Sequence, residues 1–335
     1  GGFVNAVLRK ILSNIKNRNA DLSTADTPKT VPLSLTIGCE FTIDILPDEK
    51  KHQLQYLVAA FSLPLWLVQK WTEQLGYEET KKVCFACNRR PSLYARPNSL
   101  KITADALLEV LRQEGLDCEL AAEYDMVKIN KLGDITKLNS FKKGLFVIQD
   151  ITSASVVKLL NPQSSWQVFD ICAAPGTKTT QLAELMQDKG VIIATDADPM
   201  RLNRVYENCT RLGIRSVKVL NYGAFFEYAE KLSPADAVLL DVPCSNTGVM
   251  AKKTEVRYRL KPKHIVKIAK EQYELLNRAS YFVSKGGKIC YSTCSILKEE
   301  NSCIIEQFLN RRSNEFELVE DKLSLPKADN FDCDG

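Results

Sequence analysis

The sequence predicts an α/β fold with a parallel sheet, preceded by a smaller α+β unit. The chain of 335 residues is longer than one average domain of roughly 100–200 residues, so two compact units are expected. Its composition, 45% hydrophobic and 26% charged, is that of a globular protein and excludes collagen, coiled-coil and disordered chains. After Gly144, short apolar strands alternate with helical stretches, which is typical of βα units in a parallel sheet.

Cysteine usage indicates a reducing compartment. The 11 cysteines are an odd number in a long chain without a secretory leader, so reduced thiols are expected rather than a disulfide framework. Cys84 and Cys87 form a single CxxC and the chain has two histidines, so no metal site is expected. No apolar run approaches the roughly 20 residues that cross a bilayer. We therefore expect a cytoplasmic protein without a membrane partner, and a monomer, although the sequence leaves the oligomeric state open.

The first fifty residues contain one amphipathic stretch and one polar stretch. Residues 3–12 have helical spacing of apolar side chains with no nearby partner, and the chain begins without Met, so we expect a fragment. Polar and Pro-containing stretches without sustained periodicity follow, and residues 21–51 are predicted to be a linker.

A small α+β unit is predicted over residues 52–143. Helical spacing over residues 52–76 is interrupted by Pro64, which predicts two helices. A strand, a helix ended by Gly115 and a further strand follow, at 92–96, 103–114 and 120–129.

The larger unit is predicted over residues 144–335. Its apolar stretches predict strands at 166–172, 191–196, 217–221, 237–242 and 288–293. The helices between them are expected to begin near Thr179, Pro199, Phe225, Pro262 and Glu299.

The first strand of this unit opens into a tight loop of small residues, DICAAPGTK at 170–178. Such a turn is where α/β sheets bind nucleotide-like ligands beside helix amides. A Walker loop is excluded, because Ile171 stands at its first Gly position and Gly176 is followed by Thr177; a Gly-x-Gly-x-x-Gly fingerprint is also absent. Asp196, at the end of the second strand, is predicted to accept both hydroxyls of a ribose. An ordinary turn beside a surface Asp is the alternative.

Two later strands end in reactive side chains, DVPCSNTG at 241–248 and YSTCS at 291–295. The carboxyl ends of parallel strands lie on one rim, so Asp241, Cys244 and Cys294 are expected to converge beside the first loop. Most cytosolic cysteines are small buried apolar groups. Cys244 and Cys294 differ from these because each enters a loop rich in Ser, Thr or Gly.

Basic residues are clustered although the net charge is only +4. Between Lys252 and Lys270 there are eight basic residues and one acidic residue, Glu255. With Tyr258 and Tyr273 they predict phosphate contacts and base stacking. A solvated helix face is the alternative, but the position directly after the Cys244 loop favours a nucleic-acid substrate.

The motifs Cys-Ala-Ala-Pro-Gly-x-Lys-Thr (172–179), Asp-x-Pro-Cys-Ser-x-Thr-Gly (241–248) and Tyr-Ser-Thr-Cys-Ser-x-Leu-x-Glu-Glu-Asn (291–301) resemble the RsmB/NOP family of RNA cytosine-5 methyltransferases. The resemblance runs from start to end of the chain. It implies the end of a NusB-like helical domain at residues 1–20, a small α+β domain that positions RNA, and a Rossmann-like class I methyltransferase sheet that lacks its last strand.

The resemblance implies methyl transfer from S-adenosylmethionine to carbon 5 of a cytosine in RNA, with small-subunit (16S) ribosomal RNA expected, through a covalent adduct at carbon 6. It makes Cys294 the nucleophile, gives Cys244 a role in product release and lets Asp241 recognise the base. The cofactor is expected to contact Cys172, Ala173, Ala174, Pro175, Gly176, Thr177, Lys178, Asp196, Asn221, Tyr222 and Asp241. RNA is expected to contact Arg89, Arg90, Arg96, Lys252, Lys253, Arg257 and Arg259.

The chain departs from the family pattern at three places. Thr177 replaces a Gly, which affects cofactor affinity if this position needs a positive φ. Asn221 and Tyr222 replace Gly-Asp, so the carboxylate that contacts the adenine in the family is missing. The side-chain amide of Asn221 or stacking by Tyr222 is expected to make this contact instead. Residues 250–255 replace Arg-Arg-His-Pro-Asp and bear on substrate choice. An RNA-binding ribosome-assembly factor with weak catalysis is the alternative, which the retention of both thiols disfavours; a DNA methyltransferase is disfavoured by Thr-Cys-Ser.

Overall fold

The computed structural model describes residues 1–130 and 133–335, and the chain divides into two compact units. The first unit comprises Gly1–Pro91, Thr247–Pro262 and Leu325–Asp332, and the second Ser92–Asn246, Lys263–Ser324 and Cys333–Gly335. These bounds differ from the predicted boundaries at residues 52 and 144. The helices predicted over residues 52–76 belong to the first unit, whereas the helix predicted at 103–114 and the strands of the predicted small domain belong to the second.

An antiparallel sheet of three strands spans residues 15–41, and two of its strands lie in the interval 21–51 that was predicted to be a linker. It has the order β1-β3-β2 and is formed by β1 (Ile15–Asp21), β2 (Thr30–Pro32) and β3 (Ile37–Phe41). The strands β2 and β3 show that the linker prediction was wrong, and β1 lies almost entirely in residues 1–20, where no strand was predicted. Because β1 is mostly polar and exposed, hydrophobic alternation does not reveal it. The backbone ladder with β3 defines it instead.

The helices of the first unit are α1 (Gly2–Ser13), α2 (Gln53–Phe61), α3 (Leu65–Leu75), α4 (Tyr77–Asn88) and α11 (Val256–Arg259). The predicted amphipathic helix is confirmed as α1, none of whose residues is buried; its assignment to a NusB-like domain stays a prediction. The two helices separated by Pro64 are also confirmed. Leu57, Trp71 and Val83 form the interior of this helical group.

The second unit contains a four-stranded antiparallel sheet with the order β5-β6-β4-β7. The strands of this sheet are β4 (Leu93–Pro97), β5 (Cys118–Ala121), β6 (Met126–Ile129) and β7 (Phe146–Ile148). Two helices lie between them in the chain, α5 (Ala104–Gln113) and α6 (Asn139–Lys142). The single strand predicted at 120–129 was wrong, because Asp125 adopts a left-handed φ of 57° and turns the chain into the hairpin β5-β6.

The five strands predicted after residue 144 are all present, in one parallel sheet of order β10-β9-β8-β11-β12. They are β8 (Gln167–Asp170), β9 (Val191–Ala194), β10 (Val217–Val219), β11 (Ala235–Asp241) and β12 (Val283–Ser292). The helices are α7 (Ile151–Leu160), α8 (Thr177–Leu185), α9 (Pro199–Leu212), α10 (Tyr222–Ala229), α12 (Pro262–Ala279) and α13 (Ser302–Arg312).

Both faces of this sheet are covered by apolar side chains. Val168 faces one buried cluster and its neighbour Phe169 faces the other, as strand alternation requires. In the same way, Leu239 packs in the first cluster and Leu240 in the second. A ligand can therefore reach the sheet only at the ends of its strands. None of the helices in the described part of the chain combines the length and low polarity of a membrane span.

Candidate active site

The carboxyl ends of four neighbouring strands meet at one edge of the parallel sheet. Asp170 ends β8 and pairs with Ala194 at the end of β9 on one side. On the other side it pairs with Leu239 of β11, and Asp241 then pairs with Ser292, the last residue of β12. The loops after these strands carry the predicted cofactor and thiol residues. They all lie in the second unit.

The loop after β8 turns sharply at Gly176. This residue has a φ of +100°, and a Cβ added to it would lie 3.0 Å from the Cα of Val205 on α9. Gly is therefore required here by conformation and by space. Thr177 begins α8 and has no positive φ, so the Thr at this position imposes no backbone strain.

Asp196 holds the same loop from the side of β9. Its Oδ2 accepts a hydrogen bond from the amide of Ala174 at 3.0 Å, and its Oδ1 accepts one from the amide of Asp198 at 3.0 Å. The guanidinium of Arg201 donates to the carbonyl of Ala174 at 2.8 Å. Each carboxylate oxygen has a second lone pair, so the donor set fits a ligand that presents two hydroxyls.

Two buried groups lie at the base of the loop. Burial raises the pKa of Asp170 to about 7, a rise that the hydroxyl of Thr179, which donates to Oδ2 at 2.7 Å, opposes. Its Oδ1 is buried without a hydrogen-bond partner among the described residues. Burial also raises the pKa of the Cys172 thiol well above its ordinary value. Cys172 is therefore a neutral thiol, which suits a wall of the site and not a nucleophile.

The two predicted thiols converge. The Sγ atoms of Cys244 and Cys294 are 2.9 Å apart, which confirms the expectation that both strand ends bring their cysteines to one place. The contact with Cys294 and burial raise the pKa of Cys244 well above its ordinary value, so Cys244 keeps its proton. In its thiol form Cys294 donates to Oδ1 of Asn246 at 3.2 Å. Asn246 adopts a φ of 63°, which Asn tolerates better than most residues.

Lys178 and Asp241 form an ion pair beside the thiols. The Nζ of Lys178 lies 2.7 Å from Oδ2 of Asp241, and Ser292 donates from Oγ to Oδ1 at 2.8 Å. Burial lowers the pKa of Lys178, but Asp241 and then Cys294 outweigh it, so the pKa is raised. The ammonium therefore persists next to Cys294. Asp241 is an acceptor of two hydrogen bonds in this arrangement.

Asn221 and Tyr222 occupy the start of α10. The side-chain oxygen of Asn221 accepts from the amide of Ala224 at 2.9 Å and caps the helix, so this oxygen is already engaged. The ring of Tyr222 is half-buried and meets Phe226 edge to face at 5.0 Å between centroids. Burial raises the pKa of Tyr222, which keeps the phenol neutral. Stacking by Tyr222 thus fits the adenine role better than an Asn221 contact does.

Sequence reasoning gave no role to Glu300, although it lies within the third motif. Its carboxylate is completely buried and accepts from Ser245, Ser295 and Gln272. The available signal was an acidic residue close to the apolar pair Ile296 and Leu297. A sequence does not show where the donors for such a residue come from.

Four of the predicted RNA-binding residues are exposed in the structure. Arg90, Lys252, Lys253 and Arg259 all belong to the first unit. The last three lie within or just before α11. Exposure makes them available to a polyanion.

The other three predicted RNA-binding residues are buried, and for them the prediction was wrong. Arg96 is 5% exposed and ion-paired with Glu184, while Arg257 is 8% exposed and donates to protein carbonyls. The Nε of Arg89 lies 2.7 Å from Oδ2 of Asp332, and 7% of its side chain is exposed. Charged groups are buried only when they are paired, so these guanidiniums serve the fold.

Two family models match the chain. The model described as 16S rRNA methyltransferase RsmB/F matches residues 157–333, and the RsmF/B-like ferredoxin-like domain matches residues 63–136. The probable ribosomal RNA small subunit methyltransferase B of Synechocystis is 36% identical over 253 residues, which cover 74% of this chain and 56% of the relative. The ribosomal RNA small subunit methyltransferase B of Escherichia coli is 32% identical over 294 residues, which cover 85% and 68%.

A solved structure has the same fold over most of the chain. The crystal structure of a methyltransferase homolog from Pyrococcus horikoshii superposes with a TM-score of 0.67 and 27% identity, covering 77% of this chain and 82% of that one. The chain spans a little over half the length of the Synechocystis relative.

Proposed function

Because this chain belongs to the 16S rRNA methyltransferase family RsmB/F, we propose that it transfers a methyl group from S-adenosylmethionine to carbon 5 of a cytosine in small-subunit (16S) ribosomal RNA. The observation that carries the proposal is the 2.9 Å separation of the Cys244 and Cys294 sulfurs at the edge where the strands of the parallel sheet end. One pyrimidine ring can meet two thiols only if both come to the same place.

Carbon 5 of cytosine is a weak nucleophile, so the ring must be activated. We assign Cys294 as the nucleophile, because the Lys178 ammonium interacts favourably with its sulfur, whereas Cys244 holds its proton. The Cys294 thiolate adds to carbon 6 and forms a carbon–sulfur bond, which gives carbon 5 enamine character. After methylation a base removes the proton from carbon 5, and the carbon–sulfur bond breaks as the double bond returns. Cys244, beside the departing sulfur, assists this last step.

S-adenosylmethionine supplies the methyl group when it is bound. Asp196 would hold the ribose hydroxyls, with its carboxylate already aligned by the amides of Ala174 and Asp198. Tyr222 would stack on the adenine. Gly176 keeps the loop close to α9 and so leaves room for the ligand above the backbone.

Asp241 and Lys178 would recognise the base. The carboxylate of Asp241 is held by Lys178 and Ser292, so it presents an acceptor to the amino edge of cytosine. Preorganised charges of this kind stabilise charge that develops in the ring during addition. Uracil offers a carbonyl at the same edge and would be repelled by the carboxylate.

The target cytosine must leave any stack to reach the thiols. Enzymes that act on a base take single-stranded substrate or flip the nucleotide out of the helix. The exposed basic residues Arg90, Lys252, Lys253 and Arg259 are proposed to contact RNA phosphates. The substrate is therefore proposed to be a cytosine in a loop, or one that is flipped out of its stack.

The two cysteine roles are separated by trapping the covalent adduct. We expect Cys294→Ala to lose methyl transfer to transcribed 16S ribosomal RNA and to form no denaturant-resistant RNA complex, since no thiolate is left to add. Cys244→Ala should accumulate that complex, because addition and methylation proceed while release is slowed. Gel mobility under denaturing conditions and transfer of a labelled methyl group measure both.

Cys303→Ala is the matched control, since this cysteine lies on α13 and is half-buried as the other two are. It should behave as the unchanged protein. If Cys294→Ala still crosslinks and Cys244→Ala does not, the cysteine roles are reversed. If no variant and no parent protein binds S-adenosylmethionine in calorimetry, the methyltransferase assignment fails and the RNA-binding alternative stands.

A further inference from the structure

The two thiols stand on separate loops, and one buried carboxylate lies between the residues that follow them. Ser245 follows Cys244 and Ser295 follows Cys294 in the chain. The hydroxyl groups of the two serines are 3.2 Å apart. Both donate to Oε1 of Glu300, Ser295 at 2.6 Å.

The second oxygen of Glu300 binds the backbone and a helix. Oε2 accepts from the amide of Ser245 at 2.8 Å and from Nε2 of Gln272 at 3.2 Å. The same Nε2 donates to the carbonyl of Pro243 at 2.9 Å. Both chain neighbours of Cys244 are therefore held, and Gln272 ties them to α12. Four donors surround a carboxylate that is 0% exposed, which satisfies its acceptor sites.

A fully buried carboxylate is expensive unless its surroundings are built for it. Hydrogen bonds from two loops to one anion are short, directional and stronger than bonds between neutral groups. The arrangement fixes the distance between the loops at the point where the sulfurs meet. Neither Ser245 nor Ser295 needs to touch the substrate for this effect.

We propose that Glu300 is a positioning residue that sets the separation of the Cys244 and Cys294 thiols by binding both cysteine loops at once. The proposal deepens the function proposed above and rests on it for its catalytic consequence. The effect of Glu300 on the distance between the two sulfurs can be tested without any activity, since it changes how often the sulfurs are in contact.

Glu300→Gln tests the geometry. Gln has the same length but an amide group in place of one oxygen, so it cannot accept from both the Ser245 amide and the two hydroxyls. The probe is oxidised glutathione, which converts the two thiols to a 244–294 disulfide and is itself reduced to two glutathione thiols. Peptide mapping by mass spectrometry follows the crosslink. We expect its rate to fall about tenfold in Glu300→Gln, and kcat for methyl transfer to fall by up to about a hundredfold while KM for RNA stays within about twofold.

Glu306→Gln is the matched control, because it makes the same chemical change at an exposed position of α13. It should crosslink and turn over as the parent does. Glu300→Asp, which retains the charge on a shorter arm, should recover part of the crosslinking rate. If Glu300→Gln does not fold, Ser245→Ala removes one donor from the same carboxylate and is expected to slow the crosslink as well.

A crosslinking rate in Glu300→Gln equal to that of the parent would overturn the positioning role. If Ser245→Ala is measured in its place, a parental rate in that folded variant would do the same. If crosslinking is slower in the variant but the parent protein transfers no methyl group to RNA, the positioning role is supported and the proposed function is contradicted.

Discussion

At the carboxyl edge of the parallel sheet the predicted arrangement of side chains was confirmed, whereas in the basic segment around α11 it was only partly correct. At the sheet edge, residues far apart in the chain were expected to converge, and the sulfurs of Cys244 and Cys294 are 2.9 Å apart. In the basic segment, residues 252–270, neighbouring cations were expected to contact RNA phosphates. There Arg259 is exposed while Arg257, two positions earlier, is 8% exposed.

The difference lies in what decides each position. Strand direction in a parallel sheet forces every strand end to one rim, so convergence follows from topology alone. Burial of a cation depends on which acceptors other segments supply. Arg257 donates to the carbonyls of Phe61 at 3.2 Å and Cys87 at 3.1 Å, at the carboxyl ends of α2 and α4. Carbonyls at helix ends lack partners within the helix and attract a cation.

The largest expected effect separates these two arginines. Arg257→Met should lower the free energy of unfolding by about 2–4 kcal/mol, because it removes the hydrogen bonds that the buried guanidinium donates to the carbonyls of Phe61 and Cys87 and to the side chain of Asn88. Arg259→Met, the exposed control, should change it by no more than about 0.5 kcal/mol. Urea denaturation of the whole chain measures both. Equal stability of the two variants would mean that the buried guanidinium does not support the first unit.

The sequence anticipated most of the parallel sheet and less of the first unit. All five strands of the parallel sheet were predicted because each is an apolar run between helices. The strand Ile15–Asp21 was missed because its pairing, and not its polarity, makes it a strand. In the site, Cys294 and Asp241 could be found from strand ends. Glu300 could not be assigned a role, because its donors Ser245 and Gln272 come from distant parts of the chain.

A smaller effect tests the sheet edge with respect to the cofactor. Asp196→Ala should weaken S-adenosylmethionine binding about tenfold to a hundredfold, since hydrogen bonds to a charged group contribute about 1.5–3 kcal/mol. Asp236→Ala is the matched control, because Asp236 also accepts a backbone amide, that of Gln167 at 2.8 Å, but at the opposite end of the strands. Calorimetric titration gives both affinities. Unchanged affinity in Asp196→Ala would contradict the assignment of Asp196 to the ribose hydroxyls. The cofactor site at the carboxyl edge of the sheet would then lack its ribose contact.

The smallest effect concerns the exposed part of the basic segment. Replacing Lys252 and Lys253 together by Ala should reduce the slope of log affinity for RNA against log salt by about 1.4, which is about 0.7 for each phosphate that a cation no longer neutralises on a single strand. Arg259→Ala alone should reduce it by half as much. Filter binding at several salt concentrations measures the slope, and thermal unfolding checks that the fold is kept. A parental slope in the double variant would show that exposure in this segment does not mean RNA contact, and the phosphate-binding surface would then have to be sought elsewhere on the chain.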